Sequence, residues 1–112
     1  MENIRIGYKA VLKHSLRSFA IPARVSVKYE VNTWVSPCYG CGPLCVFDTL
    51  QDALHFVGKD DSISIYECIY EKSKQNKIYY ISSGEFSHKR PLVKLPKGTV
   101  LANKVKLVKR AK

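Results

Sequence analysis

Cys38, Cys41 and Cys45 stand in a Cys-x-x-Cys-x-x-x-Cys spacing, and Cys38-Tyr39-Gly40-Cys41-Gly42 has the glycine-rich turn that lets backbone N–H groups point at thiolates. Thiolate sulfur is a favoured ligand in tetrahedral zinc sites, and Cys68, His55 or His88 would supply the fourth position. Structural zinc sites usually take their ligands from two separated cysteine pairs, and the second pair is missing here. Cys45 also sits between Leu44 and Val46, where a small buried thiol is an ordinary core residue. Two readings stand side by side: a small zinc-stabilised domain, or four unligated thiols and no cofactor. Pro37-Cys38-x-x-Cys41 matches half of the zinc-deaminase signature, but the His-x-Glu half is absent, since His14 is followed by Ser15 and Leu16.

The second chemical feature is charge. The formal net charge is +10, and from Lys89 to Lys112 there are nine Lys/Arg and no Asp or Glu, so the basicity belongs to the C-terminal segment. A field of one sign attracts anions, which points to nucleic acid or an acidic protein as partner. Lys94, Lys97, Lys104, Lys106, Lys109 and Arg110 are the candidate contacts to phosphate or carboxylate groups. Tyr66, Tyr70, Tyr79 or Tyr80 would stack on bases if one sheet face were open. The same lysines have a plainer use, because charges along an edge strand block edge-to-edge pairing.

The elements that must position these groups fit one domain of 112 residues. Ile4, Ile6, Tyr8, Ala10 and Leu12 alternate with Arg5, Gly7, Lys9, Val11 and Lys13, the period of a half-buried strand. A second strand is predicted from Arg24 to Val31, with Val25, Val27, Tyr29 and Val31 on one face and Trp34 beyond it. Leu44–Phe47 is a short buried strand running into a helix over about 49–57, capped by Asp48 or Thr49 and closed by Gly58. The helix places Leu50, Ala53, Leu54 and Val57 on one face, which must pack on a sheet.

Ser62–Tyr70 carries large side chains on both faces and is predicted to be a central strand. It is expected to return through the 71–77 turn as a hairpin with Ile78–Ile81. The pattern predicts a loop over 82–91, a short extended piece over 92–95, a turn at Pro96-Lys97-Gly98 and a last strand over 99–108. In that strand Val105 and Leu107 face inward, and Lys104 and Lys106 face water. The fold class is therefore α+β: a mostly antiparallel sheet of about five to six strands with one short helix packed on one face. The N-terminal segment lacks the pattern of a secretory signal, and no run approaches the length of a membrane span, so the expected location is cytoplasmic.

Tyr8-Lys9-Ala10-Val11, Gly42-Pro43-Leu44 with Val46-Phe47, and Pro96-Lys97-Gly98-Thr99-Val100-Leu101-Ala102 with Val105-Lys106-Leu107 resemble small single-domain proteins of phage, viral and microbial genomes with no established activity. That resemblance implies one α+β domain. Locally, Tyr39 to Phe47 followed by a helix resembles the Tyr-Gly-x-Gly strand of ADP-ribosyltransferases, which borders a nicotinamide pocket. The resemblance implies an NAD-using enzyme, with Tyr8 or His14 contacting NAD and Glu67 or Glu85 as the acidic catalyst. The leading expectation is a non-enzymatic binding module that meets an anionic partner through its C-terminal segment.

Overall fold

The computed structural model describes residues 4–18, 27–37, 42–82, 86–92 and 95–112, with the backbone alone over 79–82 and 86–90. In chain order the elements are β1 (Ile4–Leu12), β2 (Trp34–Val35), β3 (Leu44–Phe47), α1 (Leu50–Val57), β4 (Ile63–Lys72), β5 (Lys77–Ser82), β6 (Phe86–Pro91) and β7 (Thr99–Arg110). This is an α+β fold built on a five-stranded antiparallel sheet in the order β2-β7-β3-β1-β4. β7 also pairs with β4, so the circuit β1-β3-β7-β4 returns to β1 and the sheet closes on itself.

Closure depends on the length and bending of β7. Its start, Thr99 to Ala102, pairs with β3, and its later part pairs with β4. The register against β4 shifts twice, leaving Asn103 and Val108 as extra residues. A bulge of this kind bends a strand and sharpens its twist, which lets one strand serve two neighbours. The shifts also preserve the inward set: Ala102, Val105 and Leu107 are all fully buried, although 102 and 105 differ by an odd number.

Two apolar clusters result. Inside the closed sheet lie Val11, Tyr29, Leu44, Val46, Cys68, Tyr70, Ala102, Val105 and Leu107. Outside it, α1 covers Phe47 and Ile65 with Ala53, flanked by Tyr8, Leu50, Leu54, Phe56 and Val57. The Phe47 and Phe56 rings meet at 5.2 Å. Thr49 caps the helix, its hydroxyl accepting from the Asp52 N–H at 3.1 Å, and Gly58 ends it with a positive φ of 61°. β4 is central as expected, with β1 on one side and β7 on the other.

Four expectations change. The buried face of β1 is not its alternating apolar one: Gly7, Lys9 and Val11 point into the closed sheet, while Ile4 and Ile6 lie exposed beyond the reach of α1. Period two identifies the strand but not which face is covered when closure buries one side and a helix half of the other. The second strand predicted at 24–31 is not a ladder strand where it is described. Residues 27–30 carry an isolated bridge, Lys28 to Arg17, and the paired strand comes after the turn, at Trp34–Val35.

The hairpin partner of β5 is β6, not β4, in a separate two-stranded sheet that takes in most of the stretch predicted as a loop. β4 is already paired on both edges and has no free side to offer. The piece predicted as extended at 92–95 is a turn at its described ends, with the Leu95 N–H donating to the Leu92 carbonyl at 3.0 Å. Among the described residues no helix is long and apolar enough to cross a membrane.

Candidate anion-binding face

The outer surface of the sheet is built in cross-strand rows. Ile4 stands opposite Glu71 and Glu71 opposite Lys104; Ile6 opposite Ile69, Ile69 opposite Lys106 and Lys106 opposite Trp34; Tyr8 opposite Glu67 and Glu67 opposite Lys109. Directly paired residues project to the same side of a sheet, so these three rows share one face.

The middle row ends on Trp34, the chain's one tryptophan, which is 38% exposed. The Lys104 Nζ lies 4.7 Å from the centre of its ring and the Lys106 Nζ 5.9 Å. Both are within the range at which a cation is attracted to an aromatic face.

The local sequence explains how Trp34 gets there. Glu30 to Thr33 forms a tight turn in which the Thr33 N–H donates to the Glu30 carbonyl at 3.1 Å. Asn32 takes a φ of 67°, a conformation asparagine tolerates better than most residues. Its N–H donates to the Leu107 carbonyl at 2.8 Å, tying the turn to β7. Val35 then pairs with Val105 and packs against the inner cluster, so Trp34 must point outward.

The six basic candidates do not form one track. Lys104, Lys106 and Lys109 lie on the outer face. Lys109 is spent in part on Glu67, 3.6 Å away, whereas among the described residues neither Lys104 nor Lys106 reaches a carboxylate. Glu71 instead accepts from the Asn103 amide at 2.9 Å.

Arg110, past the second bulge, pairs with Tyr66 and lines a half-open cleft of about 340 Å³ with Lys13, Lys59, Lys112, Asp60 and Asp61. Asp60 there accepts from the Ser62 hydroxyl and N–H, which holds its carboxyl below the ordinary value. Lys97 sits in the turn before β7, and Lys94 lies outside the described residues. Of the tyrosines expected to stack, Tyr70 is fully buried and Tyr66 packs against the inner cluster; the side chains of Tyr79 and Tyr80 lie outside the described residues. Among the described residues the exposed ring on this face is Trp34, which the strand pattern passed over.

Cys38 and Cys41 lie outside the described residues. Cys68 is fully buried inside the closed sheet, where burial pushes its thiol up to about 12 against partial relief from Lys9. Cys45 is half-buried on β3, and its carbonyl accepts from the Lys9 Nζ at 2.6 Å. Among the described residues no three His, Cys, Asp or Glu side chains converge on a point where a metal ion could sit. Of the residues implied for NAD chemistry, Tyr8 and Glu67 are cross-strand partners, His14 is exposed in the turn after β1, and Glu85 lies outside the described residues.

No protein-family model, curated protein or solved structure matches this chain.

Proposed function

We propose that the chain is a non-enzymatic binding module that holds an anionic partner against the outer face of β2 and β7. The observation that carries this reading is the pair Lys104 and Lys106, aimed at the exposed Trp34 and left without carboxylate partners among the described residues. Two ammonium groups held in register on one strand form a local positive field, and Lys109, partly offset by Glu67, lies on the same face. An anion arriving there gains attraction without first displacing an internal ion pair.

The test is a titration of the protein with inorganic polyphosphate at several salt concentrations, using the wild type and the double variant Lys104→Gln/Lys106→Gln. Binding is expected to weaken steeply between roughly 50 and 200 mM salt, and the double variant to bind more weakly with a salt slope smaller by about 1 to 2. Affinity that ignores salt, or a double variant that binds as the wild type does, would remove the reading.

A further inference from the structure

On the premise of that anion-binding face, we infer that its ligand is a single-stranded nucleic acid whose bases stack on Trp34. A face that recognised negative charge alone would need only the lysines. Here an aromatic ring, 38% exposed, stands beside both of them at the end of a row otherwise made of Ile6, Ile69 and the stem of Lys106. Ile6 is 63% exposed and its neighbour Ile4 39%. The row spans four strands, or about 14 Å at the usual strand spacing. It joins a cationic end to an apolar strip of Ile69 and Ile6.

A nucleotide strand matches both parts, with phosphates beside Lys104 and Lys106 and base planes on Trp34 and toward Ile69 and Ile6. The acidic residues agree with this direction. Glu71 and Glu67 lie in the rows on either side, both on β4. They repel a backbone crossing β4 but leave the middle row free for uncharged bases. Phosphates are therefore confined to the β7 and β2 side. A duplex keeps its base faces stacked inside and has nothing to place on Trp34. A carboxylate-rich peptide would satisfy the lysines and leave the ring unused.

Because Trp34 is the only tryptophan, its fluorescence reports the contact directly. The wild type is titrated with a dodecamer of thymidylate, with a blunt hairpin duplex, with polyglutamate and with polyphosphate. The single strand is expected to quench the fluorescence and to bind more tightly than the other three. Trp34→Ala is expected to weaken binding of labelled dodecamer, followed by anisotropy, by about 5- to 100-fold, the loss of one base stack. It should weaken polyphosphate binding far less than dodecamer binding, and Trp34→Phe should restore most of the loss while showing that the fold tolerates the site.

A Trp34→Ala protein that binds the dodecamer as tightly as the wild type overturns the inference, as does a duplex or polyglutamate that binds as well as the single strand. In either case, lysine-dependent binding of polyphosphate would leave the anion-binding face standing. If polyphosphate binding is also indifferent to the lysines, both readings fall.

Discussion

Lys9 and Lys106 make nearly the same contact in opposite surroundings. The Lys9 Nζ lies 5.4 Å from the Tyr29 ring inside the closed sheet, and the Lys106 Nζ lies 5.9 Å from the Trp34 ring on its outer face. Inside, the ring is 1% exposed, and the lysine, itself 8% exposed, is committed to the Cys45 carbonyl. Outside, the ring is open to water and the lysine has no carboxylate partner among the described residues. A cation over a ring is therefore no sign of function in itself; access decides whether the pair holds the fold together or remains available to a ligand.

Reversing the charge at each lysine should separate the two most widely. Lys9→Glu places a buried carboxylate against a carbonyl oxygen and is expected to cost about 3–5 kcal/mol. Lys106→Glu, on the surface, should change stability by no more than about 0.5 kcal/mol while reducing anion binding. Urea unfolding of both variants measures this, and equal losses would erase the distinction between the two lysines.

Gly7 and Ile6 offer the same contrast on β1. A Cβ at Gly7 would lie 2.7 Å from Tyr70 Cε1 and 2.9 Å from the Phe47 carbonyl oxygen, so Gly7→Val is expected to cost about 1–3 kcal/mol by overpacking. Its exposed neighbour Ile6→Ala should stay within about 0.5 kcal/mol. A Gly7→Val protein as stable as the wild type would show that the interior is looser than described.

A third contrast between buried and open groups is in alkali. Burial raises the pKa of Cys68, from 9.0 to about 12, and also those of Tyr29 and Tyr70. The unfolded chain loses these protons first, so the stability they carry is complete below pH 9 and falls as pH rises toward 12. The slope is at most about 1.4 kcal/mol per pH unit for each group. Urea midpoints at about pH 8 and 10.5 should fall less in Cys68→Ala than in the wild type, with Tyr29 and Tyr70 accounting for the remainder. An identical fall in both would mean that Cys68 deprotonates as readily in the folded chain as in the unfolded one.

Much of this arrangement was legible in residue order, because the information was local. The cap at Asp48 or Thr49, the stripe Leu50, Ala53, Leu54 and Val57, the stop at Gly58, and the outward Lys104 and Lys106 against inward Val105 and Leu107 each follow from spacing within one element. What failed was partnership between distant segments, and with it the reading of 24–31 as a ladder strand where it is described, of 82–91 as a loop and of 92–95 as extended. Nothing near Ile78 says that β4 is already paired on both edges, and nothing near Ile4 says that α1 stops short of it.

Sequence alone determined β1, the β3–α1 unit, β4, β5 and β7 as elements and the sign of the charge, since these depend on neighbours a few residues apart. Tertiary structure alone decided that the sheet closes, that Lys9 turns inward, and that Trp34 meets Lys104 and Lys106 across some seventy residues. The reason is geometric: the bulges at Asn103 and Val108 bend β7 around two partners, and the turn at Asn32 hangs Trp34 on its edge.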